Sequence, residues 1–275
     1  MMQWLSLPLT YGFMQRGLLA AVIVGVLCAV VGCYVVLRSM AFLGDAIAHA
    51  ILPGVAVAFL LKGNLMVGAL IVAVAVALGI GLLSREGTLR EDTAIGVLFA
   101  AALALGVALI STMRTYAVDL MHILFGNVLG VGWGDVWLIA GLSLVVLGTV
   151  ALLYKQFLVM SFDPVQAATL RLPVDRLRNL MLVLLAIVVV VSLQTVGVGL
   201  VAAMLVTPAA TAQLLTRRLP AMMAVSAALG AFSGVAGLYA SFYFNVASGA
   251  AIVLVATAIF FVVFLFAPRR GLLRH

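Results

Sequence analysis

The chain has 275 residues, of which 67% are hydrophobic and only 8% charged. Soluble domains carry roughly 25% charged residues, so the composition excludes a large soluble core and is that of an integral membrane protein. The 15 Lys and Arg outnumber the 8 Asp and Glu, but they fall in short loops between apolar runs, which marks membrane topology and not a nucleic-acid surface.

The first 16 residues hold one charge, Arg16, among Trp4, Leu5, Leu7, Tyr11 and Phe13. That mixture suits a segment lying at the interface. Runs near the 20 residues that a membrane helix needs follow at 17–37, 40–61, 65–83, 94–112, 136–154, 179–199, 200–216, 219–241 and 250–267. Only Gln194 to Gly199 separates the sixth run from the seventh. That pair therefore reads as two crossings, a bent helix or a re-entrant turn. The expectation is an all-α, polytopic helix bundle of eight or nine membrane crossings, forming one transmembrane domain over 1–275.

Cys28 and Cys33 lie in the first run. Five residues of helix put them on different faces, so they are expected to be small packing residues and not a disulfide or zinc pair. The second run carries Asp45 and His49, one helical turn apart and so on one face. Ionisable groups inside a membrane segment mark the path of an ion, proton or substrate. An oxygen and a nitrogen donor stacked together form half of a divalent-metal site. Gly44, Ala46, Ala48 and Ala50 surround them with small side chains.

Glu86, Glu91 and Asp92 lie with Arg85 and Arg90 before the fourth run. Acidic residues there favour a helix N-terminus, and a gate at the inner mouth is the competing role. Asp119 and His122, three residues apart, form a second candidate metal pair that could receive an ion at the outer mouth. Capping or solvation is the plainer reading of such loop residues.

The longest connection is Lys155 to Asn179. Asp163 before Pro164 predicts an N-cap followed by proline at the first helical position. About two helical turns through Val165, Ala167 and Leu170 should follow, with Pro173 stopping them. Pro208 sits inside an apolar run and should kink or break its helix, as a pivot or as a static bend. His275 is terminal and is expected to carry no role.

If nine spans alternate, only Arg16, Lys62 and Arg114 of the 15 basic residues fall on one side, and the other 12 share the opposite side. The positive-inside rule makes the richer side cytoplasmic, with the C-terminus inside and the N-terminus outside. The sequence has no G-x-x-x-x-G-K-[ST] phosphate loop, so energy must come from a partner or an ion gradient.

Five segments in order resemble the metal-ion permeases of bacterial ATP-binding-cassette importers, the family for zinc, manganese and iron. They are Met40–Phe59, Leu124–Val131, Ser161–Pro164 with Leu172–Val174, Val191–Thr216 and Ala267–Leu273. The resemblance implies a fold like that of the vitamin and siderophore importers, with about one helix fewer. It implies two cytoplasmic ATPase subunits, an extracytoplasmic metal-binding protein and a second permease chain, expected to be identical, in the bacterial inner membrane. It implies a transported Zn2+, Mn2+ or Fe2+ and no permanently bound cofactor. Asp45 and His49 match the family's pathway residues, and Asp163 to Pro173 match its coupling helix, which docks on the ATPase. Three other functions compete: a metal transporter or channel complete without ATPases, a permease for iron chelates, and an intramembrane metalloenzyme. The last finds no H-E-x-x-H and no supported Ser–His or Ser–Lys arrangement.

Overall fold

In a bilayer every backbone N–H and C=O must be satisfied within the protein, which leaves helices as the way to use such long apolar runs. A computed structural model describes residues 7–85, 89–112 and 128–266. Its α-helices, in chain order, are α1 (Gly12–Leu37), α2 (Phe42–Ala50), α3 (Leu52–Leu60), α4 (Leu65–Leu83), α5 (Glu91–Ser111) and α6 (Trp133–Leu152). Then come α7 (Tyr154–Phe162), α8 (Pro164–Thr169), α9 (Val174–Val196), α10 (Val198–Leu215), α11 (Leu219–Phe244) and α12 (Ser248–Phe266).

Eight segments are long and apolar enough to cross a membrane, with α2 and α3 together making one of them. A shorter apolar stretch, Leu200–Leu215 in α10, accompanies them. The described residues thus form a multi-pass, all-helical membrane bundle. Ile71, Leu144 and Leu254 are among the large apolar side chains that point outward, as a lipid solvent requires.

Three details differ from the sequence reading. The run 40–61 is two helices joined at Ile51, because Pro53 has no N–H to return to the His49 carbonyl. The run pair 179–199 and 200–216 is split at Gly197, whose φ of 86° and ψ of 159° belong to glycine. Arg178 near the start of α9 lies by Arg38, and Leu215 at the end of α10 lines a cavity with Leu37, so the chain reverses between them, which selects among the readings that the sequence left open. Third, the 155–179 connection holds more helix than expected: α7 precedes the short α8, and α9 begins at Val174, directly after Pro173. α8 itself stops at Thr169, before Pro173 acts, because Arg171 turns left-handed at φ 58°.

α1 runs through the middle of the bundle, with fully buried Val24, Leu27 and Cys28. Lipid gives no hydrophobic drive between helices, so close approach of small residues must hold them. Gly25 of α1 meets the Gly230 carbonyl of α11, and a Cβ on Gly32 would fall on the Leu205 carbonyl of α10. Ser226 donates to the Ala29 carbonyl at 3.0 Å, and Cys28 Sγ lies 3.0 Å from Ser192 Oγ of α9. Both cysteines are free and buried, as expected. Gly32→Ala should therefore lower stability by about 1–3 kcal/mol, the cost of overpacking. Thermal unfolding in detergent checks this, and an unchanged midpoint would contradict the seam.

One rim collects the ends of many helices. Arg38, just past α1, pairs with Glu91 of α5 at 3.1 Å. Arg178 of α9 donates to the carbonyls of Ser84 and Gly81 at 3.4 and 3.2 Å, and to Asp175 at 2.9 Å. Leu37, Phe162 and Arg217 line a common cavity there. Among the described residues Arg38, Arg178 and Arg217, which sequence alternation places on one side, lie at this edge.

Candidate metal path

α2 is short because its chemistry is bounded: Met40 and Ala41 lead in, and Pro53 interrupts the ladder beyond Ile51. Within its nine residues, Gly44, Ala46, Ile47, Ala48 and Ala50 are buried. Gly44 faces Leu205 and Ala202 of α10, and a Cβ there would meet Leu205 Cδ1 at 2.8 Å. The small residues thus pack α2 inward. Phe42, Asp45 and His49 fall on the remaining stripe, at spacings of three and four.

That stripe looks out of the single chain. Asp45 and His49 keep 33% and 31% of their side-chain exposure. His49 Nε2 stands 3.6 Å from Asp45 Oδ1, which is an ion-pair distance but too long for a hydrogen bond. Two ligand atoms each about 2.1 Å from one ion stand roughly 3–3.5 Å apart. At 3.6 Å the pair stands just beyond that spacing, so a small side-chain adjustment would let both atoms reach one cation. Phe99 of α5 forms one wall, edge-on to His49 with ring centroids 6.3 Å apart and to Phe42 at 6.0 Å. Among the described residues no group of three or more His, Cys, Asp or Glu comes together. Among the described residues Asp45 and His49 are thus a pair of candidate donors and not a complete metal site.

The other predicted residues separate. Asp119, His122 and Glu86 lie outside the described residues, as does His275. Glu91 and Asp92 stand in the first turn of α5, as the helix-dipole reading requires. Glu91 also takes Arg38 as partner, a pairing across 53 positions that no local spacing could show. Burial pushes the Arg38 guanidinium below its usual range, with Glu91 opposing the shift and Arg178 adding to it. Pro208 sits inside an α10 that continues through it, while the Thr211 hydroxyl donates to the Thr207 carbonyl at 2.7 Å. Phe99 and Arg178 were not singled out by sequence, since their roles depend on which helix neighbours which.

At the rim, Asp163 caps α8 by accepting from the amides of Val165 and Gln166, both at 2.9 Å, with Pro164 at the helix start. Val165 and Leu170 project outward at 75% and 58% exposure, whereas Ala167 is buried and holds α8 to the body. Asp163→Ala should cost this cap about 1 kcal/mol. Hydrogen exchange would show it as roughly fivefold faster exchange at the Val165 and Gln166 amides.

The sequence matches the ABC 3 transport family over residues 10–267. It is 50% identical to the manganese transport system membrane protein MntC of Listeria monocytogenes, over 96% of this chain and 94% of that protein. It is 42% identical to the manganese import system permease protein ScaB of Streptococcus gordonii, over 96% and 95% of the two chains. Among solved structures, PsaBC from Streptococcus pneumoniae in complex with Fab aligns with a TM-score of 0.86 at 38% identity, covering 98% of this chain and 96% of that one. A metal-chelate type ABC transporter in an inward-facing conformation aligns at a TM-score of 0.72 and 15% identity, a likeness of fold alone, over 90% and 84% of the chains.

Proposed function

The chain belongs to the ABC 3 transport family, and from that premise we propose that it provides the manganese path of an ATP-driven importer. It is a membrane permease subunit and not an enzyme, with ATP hydrolysis in a separate subunit. Family membership displaces the ATPase-independent transporter and the intramembrane enzyme. The observation that carries the reading is the Asp45–His49 pair, 3.6 Å apart on the open stripe of α2. A carboxylate and an imidazole suit manganese, zinc and ferrous iron alike. The relatives whose names specify manganese favour the first. The ion is cargo, bound with Asp45 ionised and His49 neutral.

Two ligands do not fill a coordination shell. A second identical permease chain, meeting this one across a two-fold axis, would bring the same pair again. Two ATPase subunits would dock on α8, where Val165 and Leu170 offer an apolar grip. The basic rim would then be cytoplasmic, with the C-terminus inside and the N-terminus outside. An extracytoplasmic metal-binding protein would deliver the ion at the opposite mouth, where Asp119 and His122 are candidate receivers. Pro208 is a candidate pivot of α10 during inward opening.

The test is uptake into vesicles holding the permease with its ATPase and its metal-binding protein. Radioactive manganese should accumulate only with ATP, and a tenfold excess of unlabelled manganese should suppress it more than equal zinc or iron. ATP-driven accumulation of zinc but not manganese would overturn the substrate assignment.

A further inference from the structure

Where α1, α7 and the turn between α10 and α11 meet, a cavity of about 440 Å³ opens at the basic rim. Its lining includes apolar Leu37, Phe162 and Met222 and polar Gln213, Arg217 and Arg218. Met222 is buried, while Phe162 is two-thirds exposed, so the apolar lining includes both interior and surface residues. Both arginines are exposed. Among the described residues neither has an acidic partner. Neither Asp45 nor His49 lines this cavity.

We propose that the cavity holds the head group of an anionic phospholipid from the leaflet at this rim. Its volume falls within the roughly 300–1,000 Å³ of small-molecule sites. Guanidinium groups present forked donors that match phosphate oxygens. The cavity also lies where head groups lie. Leu37 and Leu215 are the last residues of α1 and α10, and Leu219 is the first of α11. Basic pockets between membrane helices at this level take anionic head groups. The apolar lining decides between lipid and free phosphate. Phe162 and Leu215, at 66% and 42% exposure, would stay in water beside a small anion. The glycerol and upper acyl carbons of a lipid would cover them.

The experiment is native mass spectrometry of the purified permease titrated with phosphatidylglycerol, with phosphatidylcholine as the neutral comparison. Wild type should retain one phosphatidylglycerol about 30-fold more tightly than R217Q/R218Q, the effect expected of two surface cations. Both proteins should hold phosphatidylcholine equally weakly, and Lys62→Gln at the opposite rim should bind as wild type does. An R217K/R218K variant, which keeps the charge but loses the forked donors, should bind between the two, and the single variants R217Q and R218Q, each expected to lose about fivefold, serve if the double glutamine variant does not fold. Equal retention of phosphatidylglycerol by wild type and R217Q/R218Q would overturn the proposal. So would glycerol 3-phosphate competing as well as the lipid, which would make this a soluble-phosphate site. Release of the lipid on adding the ATPase subunit would overturn it in favour of a docking surface.

Discussion

Asparagine in place of Asp45 is expected to abolish metal uptake while the permease still reaches the membrane and supports basal ATP hydrolysis in its partner. The side chain keeps its shape and loses the charge that a divalent ion needs. Removing groups that merely support metal ligands costs about 10–100-fold. Loss of a direct ligand should therefore exceed 100-fold, and in a symmetric dimer each substitution removes two. His49→Ala should match it, for the second donor of the same 3.6 Å pair. Phe99→Leu provides the contrast. It removes the ring wall beside His49 but no donor atom, so it should reduce uptake severalfold without abolishing it. The comparison is made by uptake at matched membrane levels. Full uptake in Asp45→Asn and His49→Ala would make the pair structural and move the search to Asp119 and His122.

The sequence exposed the bundle because each crossing is written locally, as an apolar run of bilayer length. It exposed Asp45 and His49 for a related reason. Helical spacing puts them on one face, and their charge conflicts with their surroundings. Local reading stopped where one segment depends on another. Spacing joins Asp45 to His49, but it cannot say that Gly44 turns inward against Leu205 and leaves the pair on the outer stripe. The wall residue Phe99 comes from a helix fifty residues further on. The Lys155–Asn179 connection was half legible. Asp163 and Pro164 announce the start of α8, yet its end depends on Arg171 adopting a left-handed backbone, which arginine does not advertise. At Gly197 the missing polar loop left the direction of the chain open, and a single positive φ decided it.

Glutamine in place of Glu91 is expected to destabilise the permease by about 3 kcal/mol, and more than Arg38→Gln does. Breaking a buried ion pair by removing one partner leaves a charge without compensation, at about 3–5 kcal/mol. Partial exposure discounts that figure. The two sides of this pair are unequal. Arg38 is the more buried, with 12% side-chain exposure against 24% for Glu91. Arg38 Nη1 already lacks a hydrogen-bond partner, and Arg178 repels it. Without Glu91, two guanidiniums face each other with Asp175 bound to only one of them. Without Arg38, Glu91 can turn to water and still favour the start of α5, so the cost should be nearer 2 kcal/mol. The double glutamine variant should lose less than the two single losses added, because it leaves no orphaned charge. Thermal unfolding of the four proteins in detergent measures the cycle. Equal single effects, or strict additivity, would show that the pair is solvated and carries little. The pair joins the end of α1 to the start of α5, and beside it Arg178 joins the start of α9 to the end of α4. Glu91 lies eight residues before Phe99 along α5, about 12 Å by helical rise. Slackening the rim therefore loosens the helix that walls His49, and Glu91→Gln should lower uptake more than its membrane level falls.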